Sequence, residues 1–224
     1  MKSTLILFDA GAVLFTLNFS RFYRRAGEIA GKTKDEFKQA YISSGLEEKR
    51  LSGAISTAKF FDSLRELTGK NLPDSELAEL WSLVYGTRID DNISLKKDLS
   101  EKYTVGVFSN ASELDTTLVP KKIGPDVFET YGGPLVISAQ VRAMKPQPRI
   151  YEQIKGFKKI IFIDDKELYL KAAEKFGWQC IHFNGFIDKD EAIRSIHNKT
   201  EAGFPSAKNT SELIMALEEL GVTV

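Results

Sequence analysis

Cysteine is almost missing from this 224-residue chain: Cys180 is the only one, so no disulfide can form within it. A reducing cytoplasm is the expected setting, and Cys180, set in an apolar run, reads as a small buried side chain rather than a catalytic thiol. Histidine is nearly as scarce. His182 and His197 stand too far apart in sequence to suggest a metal pair and read as surface or internally satisfied residues. A surplus of one charge is missing as well: lysine plus arginine equals aspartate plus glutamate at 31 each. No global field draws nucleic acid or an anionic membrane, so neither is expected as a partner, and any anion binding must be local. No run reaches the ~18 uncharged apolar residues of a membrane span. The first residues, with Lys2, an apolar stretch and small Ala10 and Ala12, have the outline of a secretory leader, but that stretch is short and carries an acid, which argues against one.

What is present is ordinary for a globular protein: 42% apolar and 28% charged residues, in a length that fits one large domain or two small ones. Short apolar runs rich in β-branched or aromatic residues recur at Thr4 to Phe8, Tyr103 to Phe108, Leu135 to Ile137, Ile160 to Ile163 and Gln179 to Phe183. Most are continuously apolar, as strands covered on both faces must be. Helical patterns alternate with the later ones: "SELDTTLVPKK", "PRIYEQIKGF" and "ELYLKAAEKFGW". The predicted class is α/β with a doubly wound parallel sheet.

The stretch 16–87 breaks that alternation. Four segments, "FSRFYRRAGEIAG", "TKDEFKQAYISSG", "STAKFFDSLRELTG" and "DSELAELWSLVYG", each carry an apolar stripe that starts near Ser, Thr or Asp and ends near Gly. They predict a four-helix insertion, a small domain standing above the carboxyl edge of the sheet, with residues 1–15 and 88–224 as the α/β core. Phe19, Phe22, Tyr23, Phe60, Phe61, Trp81 and Tyr85 recur at helical spacing and are expected as the core of that insertion. The charged run "EEKRLSGAIS" within it reads as a solvated helix face, or alternatively as a turn bringing Lys49 or Arg50 toward an anionic ligand. Near the end of the sequence, "NTSELIMALEELGV" reads as a capped helix with Leu213, Leu217 and Leu220 inward.

The polar residues at the strand ends carry the chemistry. Asp9 interrupts "LILFDAGAVLF"; Ser109 and Asn110 follow the second predicted strand; Lys145 stands in "AMKPQPRIY" after the third; Asp164 and Asp165 end the fourth. Singly, each reads as turn or cap chemistry. Parallel strands bring their carboxyl ends to one edge, where ligands of open α/β sheets bind, so these residues should converge. Asp9 with Asp164 or Asp165 offers hard oxygen ligands for Mg²⁺. Ser109 and the amides after it suit phosphate oxygens, and Lys145 offers a compact positive charge to phosphate and to Asp9. Such a group can form an acyl phosphate on Asp9 and hydrolyse it.

In this order the residues resemble the motifs of the haloacid dehalogenase (HAD) superfamily: an apolar strand with an Asp-x-Asp-Gly nucleophile loop, an apolar strand ending in Ser/Thr-Asn, a lysine before proline, and a terminal acid pair. The resemblance covers most of residues 3–184. It implies Asp9 as nucleophile, Ser109, Asn110 and Lys145 around the phosphate, and Mg²⁺ held by Asp9, the backbone carbonyl of Gly11, and Asp165 with Asp164. It also implies a helical cap of the first type over the site. Two departures stand out. Gly11 replaces the second acid, which in the superfamily protonates the leaving alcohol and activates water, and Ala12 replaces the glycine after it. A positioned acid–base group is worth ~10²–10⁴ in rate, so its loss predicts slow turnover of poor leaving groups. Tyr169 stands where many members carry Asn or Asp, which alters support of the acid pair.

Three functions follow from the resemblance. One is a Mg²⁺-dependent phosphatase of a small phosphorylated metabolite, such as a sugar 1-phosphate, acting as a monomer or homodimer. Another is a 2-haloacid dehalogenase, whose leaving halide needs no proton. The third is a non-catalytic relative that binds a phosphorylated ligand or a protein.

Overall fold

The computed structural model describes residues 2–185 and 203–224. The chain runs β1 (Lys2–Phe8), β2 (Phe15–Leu17), α1 (Phe19–Ala30), α2 (Lys34–Ser43), α3 (Leu46–Leu51), α4 (Thr57–Thr68), α5 (Asp74–Ser82) and β3 (Tyr85–Arg88). It continues through α6 (Asp90–Leu99), β4 (Thr104–Ser109), α7 (Glu113–Lys122), β5 (Gly132–Ile137), α8 (Ser138–Val141), α9 (Pro148–Tyr151), β6 (Phe157–Asp164), α10 (Glu167–Glu174), β7 (Gln179–Phe183), β8 (Ser206–Ala207) and α11 (Thr210–Glu219).

The main sheet has the order β5-β4-β1-β6-β7-β8, with every pair parallel. Its strands bury alternate side chains on two faces. Ile6, Phe8, Val105, Val107, Ile161 and Ile163 pack on one side, under Leu95 of α6, Val119 of α7 and Leu213 of α11. Leu5, Leu7, Phe108, Phe162 and Cys180 pack on the other, against Ile150 and Tyr151 of α9 and Leu170 of α10. The continuous apolar runs are thus explained by helices on both faces. From β1 the chain winds outward through β4 to β5, then crosses back to β6 on the other side of β1. The winding reverses at β1, and a crevice opens there at the carboxyl edge.

The insertion holds five helices, not four. The additional one is α3, a turn and a half of "LEEKRL", too short and too charged to show an apolar period. Of the other four, α2 and α4 start at the Thr and Ser read from sequence, α1 is capped by Asn18 instead, and α5 follows Pro73 without a side-chain cap and stops at Ser82, short of the glycine. Asn18 Oδ1 accepts from the Arg21 amide, Thr33 and Glu36 form a capping box, Ser56 caps α4, and Gly31 and Gly69 end α1 and α4 with left-handed φ. The predicted aromatic core forms, with Phe22 and Phe60 edge-on to Trp81 at centroid distances of 5.0 and 5.1 Å.

An antiparallel ribbon of β2 and β3, pairing Phe15 with Arg88 and Leu17 with Tyr85, joins the insertion to the sheet. A Cβ on Gly86 would sit 2.2 Å from Thr16 Oγ1, so the ribbon requires glycine there. Neither the ribbon nor α6 is legible as apolar periodicity, and "PRIYEQIKGF" yields one helical turn rather than a full helix. Near the C-terminal end, Asn209 caps α11, and Leu213 and Leu217 are buried as expected. His197 lies outside the described residues. Among the described residues no helix is long and apolar enough to cross a membrane.

Candidate active site

Asp9 stands one residue beyond the register pair Phe8–Ile163, and its amide donates to the Ile163 carbonyl at 2.9 Å. This places its carboxylate beside that of Asp164 at the end of β6. Lys145 arrives from the loop before α9 and is fully buried. Its Nζ lies 3.1 Å from Asp9 Oδ1 and 2.5 Å from Asp164 Oδ2, and it donates to the Phe108 carbonyl at 3.0 Å. Carboxylate oxygens of Asp9, Asp164 and Asp165 lie within 4.8 Å of one another.

Asn110 explains how Lys145 is aimed. Its Oδ1 accepts from the Lys145 amide at 2.8 Å and its Nδ2 donates to the Lys145 carbonyl at 3.0 Å, so both ends of the side-chain amide clamp that backbone. Ser109 is buried at the end of β4 and lines the same cavity as Asp9. The Tyr169 hydroxyl receives a 3.3 Å bond from Asn110 Nδ2, and its ring lies about 5.1 Å from both Lys145 Nζ and Lys166 Nζ. Where an Asn or Asp would bond to the acid pair, this chain places an aromatic face under two ammonium groups.

The charges do not balance. Burial works to lower the ammonium of Lys145, but Asp164 and Asp9 outweigh it and hold its pKa up. Burial pushes Asp164 above the usual carboxylate range against the pull of Lys145, and Asp9 and Asp165 add to the push. Asp165 is raised by burial in the same way, with Lys166 opposing. Asp9 Oδ1 is buried and, apart from the ion-pair contact with Lys145, has no hydrogen-bond donor. Three converging carboxylates with surplus negative charge and an undonated oxygen fit a hard divalent cation such as Mg²⁺. Both oxygens of Asp164 are engaged, by Lys145 and by the Lys166 amide at 2.8 Å, which leaves Asp9 and Asp165 as the freer ligands.

The loop after Asp9 shows what Gly11 does. A Cβ there would lie 2.9 Å from Leu17 Cδ1, so a methyl of the ribbon fills the space beside it. Ala12 adopts φ 61°, the left-handed region that explains a glycine in the motif; alanine holds it at a cost of about 1 kcal/mol. Sequence reasoning missed Leu17 because its approach to Gly11 depends on the ribbon. It also set aside His182, whose Nε2 lies 2.9 Å from the Asp165 carbonyl and which lines the cavity; its lone position in sequence gave no signal.

The reading of Arg50 as part of a solvated face does not hold. Arg50 is buried, donates to Asp115 Oδ2 at 2.6 Å and Ser112 Oγ at 3.0 Å, and grips Glu47 through Nε and Nη2 at 3.0 and 2.8 Å. Its guanidinium lies 4.0 Å from the Trp81 ring centre. Asp115 Oδ1 accepts in turn from Tyr85 at 2.7 Å and Trp81 at 3.0 Å. These contacts fasten the insertion to α7 of the core. Burial pushes the Asp115 carboxyl up, but Arg50, with the Ser112 amide, Tyr85 and Trp81, holds it below its ordinary value. A lowered folded-state pKa stabilises fully above the unfolded value of ~3.9 and is lost as pH falls through the folded one. Urea unfolding should therefore show stability dropping below about pH 4, with a shallower drop in Asp115→Asn.

No protein-family model matches the chain, and no curated protein matches it by sequence. Its structure is similar to the HAD family enzyme bt-2542 from Bacteroides thetaiotaomicron in complex with magnesium and inorganic phosphate. Identity is 24%, coverage 86% of this chain and 100% of that one, and TM-score 0.73. A predicted HAD-like family hydrolase from Porphyromonas gingivalis matches at 20% identity over 89% and 100% of the two chains, TM-score 0.69. L-2-haloacid dehalogenase from Xanthobacter autotrophicus matches at 17% identity over 94% and 96%, TM-score 0.57. The chain has the HAD-like fold, that of the hydrolases the strand-end residues resemble.

Proposed function

We propose that the protein is a phosphoric monoester hydrolase that works through an aspartyl phosphate on Asp9, with the helical insertion 16–87 as its cap. The observation that supports this most is the convergence of Asp9 with buried Lys145 and two further acids where the sheet's winding reverses. A carboxylate oxygen at the end of β1, facing an ammonium and otherwise free of hydrogen-bond donors, can attack phosphorus. Lys145 also neutralises charge on the transferring group, while the Ser109 hydroxyl donates to one of its oxygens. Asn110 keeps Lys145 in place through the backbone. A Mg²⁺ held by Asp9, Asp165 and the Gly11 carbonyl would supply positive charge against the phosphate oxygens. Water then releases inorganic phosphate and restores Asp9. The substrate is a small phosphorylated metabolite, and the scarcity of cysteine suits a reducing cytoplasm.

Leu17 beside Gly11 favours a second reading, 2-haloacid dehalogenation, in which no proton is needed on the leaving group. The surplus of carboxylates tells against it, since carbon–halogen cleavage needs no cation. The assay is p-nitrophenyl phosphate with Mg²⁺ or EDTA, beside 2-chloropropionate. Mg²⁺-dependent phosphate release, lost in EDTA, is the expected result. Chloride release without metal would establish the dehalogenase. Neither activity, with Mg²⁺ still raising the melting temperature, would leave a binding protein.

A further inference from the structure

From the filled space beside Gly11 and the walls of the cavity above Asp9, we infer that the substrate is a phosphate ester of a weakly basic hydroxyl, such as a phenol, on an apolar body. The inference rests on the phosphatase reading and narrows it.

The first support is at the scissile bond. The position from which the superfamily's acid would reach the leaving oxygen has no side chain, and a Leu17 methyl lies 2.9 Å from where its Cβ would begin. Of the other acids lining the cavity, Asp165 belongs to the carboxylate group that suits a cation, and the rest are bound or exposed. Glu47 and Asp115 are bound to Arg50, and Glu48 is exposed. A leaving oxygen at this site departs as an oxyanion, so the rate should follow its basicity.

The second support is the cavity, about 840 Å³ in volume. Asp9, Ser109, Asn110 and Asp165 line it at the sheet edge, and Glu47, Glu48 and Arg50 line it from the insertion. Phe15, Leu17, Trp81 and Tyr85 line it as well, and the Tyr85 hydroxyl and the Trp81 indole N–H are both engaged by Asp115. Ile42 and Leu168 line the same cavity while 48% and 61% exposed, an unusual placement for large apolar side chains unless something covers them. Polar groups at the sheet edge for phosphate, with Phe15, Leu17 and the exposed Ile42 and Leu168 in the same cavity, suit an ester with an apolar body.

The reaction balances without an acid. Asp9 Oδ bonds to phosphorus as the bond to the leaving oxygen breaks, and that oxygen departs with the electron pair as a phenolate. Water then attacks phosphorus, the bond from Asp9 to phosphorus breaks, and the proton goes to solvent or to inorganic phosphate.

The test compares p-nitrophenyl phosphate with p-nitrobenzyl phosphate, similar in shape but with an alkyl leaving oxygen, and with acetyl phosphate, a good leaving group without the ring. For the wild-type protein kcat/KM should fall by about 10²–10⁴ from the phenyl to the benzyl ester, the worth of a missing acid. It should fall at least about tenfold from the phenyl ester to acetyl phosphate, the loss of apolar contacts. Gly11→Asp, whose Cβ would meet the flexible Leu17 side chain, should recover most of the benzyl ester's deficit. Benzyl turnover within about tenfold of phenyl would overturn the inference while leaving the phosphatase intact, and would point to Lys166 or His182 as proton source. Equal use of acetyl phosphate would overturn the apolar-body half. No release from any ester above an Asp9→Asn blank would instead overturn the phosphatase reading itself.

Discussion

Asp9→Asn is expected to lose roughly 10⁴-fold or more of turnover, the scale seen when a covalent nucleophile is removed. The substitution keeps the side chain's shape and its place at the end of β1. It replaces the carboxylate that Lys145 faces at 3.1 Å with an amide, whose oxygen is too weak a nucleophile to bond to phosphorus. Loss of a metal ligand alone would also slow the enzyme, so rate cannot carry the assignment. Acid quenching during turnover of a labelled ester should leave phosphate on the wild-type protein, labile to hydroxylamine, and none on the variant. A wild-type protein that turns over without ever carrying label would transfer phosphate directly to water, and Asp9 would then be a ligand and not a nucleophile.

Arg50→Met is expected to destabilise the protein by about 3–5 kcal/mol, because it leaves Asp115 buried and without its cation. The same figure does not measure the worth of the pair, since much of it is the cost of the stranded carboxylate. Arg50→Met combined with Asp115→Asn should regain a large part of the loss, which urea midpoints of the two singles and the double would show. If the single substitution costs under about 1 kcal/mol, the buried network contributes no more than a surface ion pair. Ser112 also caps α7 with Asp115, so these residues serve helix start and insertion docking together.

The contrast between Asp9 and Arg50 shows what a sequence exposes. Asp9, Ser109, Asn110, Asp164 and Asp165 are legible because each follows an apolar run, and strand direction alone brings such ends together. Lys145, in a loop well past β5, is legible instead through the lysine-before-proline resemblance. The caps at Thr33 and Ser56 are legible because a cap is a contact between near neighbours. Arg50 lies in a run of charges that resembles a solvent face in every local respect. Its burial is decided by Asp115, Ser112 and Trp81, which reach it only through tertiary packing. Leu17 is hidden for the same reason, since its approach to Gly11 is made by a three-residue strand with no apolar pattern of its own. The acid pair was legible and its surroundings were not: Tyr169 could be noted as a departure, but its place beneath two lysines depends on how α10 packs.

The ribbon of β2 and β3 has a consequence for how the chain reaches this state. Leu5 pairs with Thr104, so β1 cannot pair with β4 until the whole insertion has been passed over. Closing a flexible loop costs more the longer it is, by about 0.6 kcal/mol per doubling. Helices held by near-neighbour contacts can form early, and once they do, the pairing of Phe15 with Arg88 brings the two ends of the insertion together. The search of β1 for β4 is then made across a short connection instead of the whole intervening length. The strands that flank the insertion shorten the path to the central sheet.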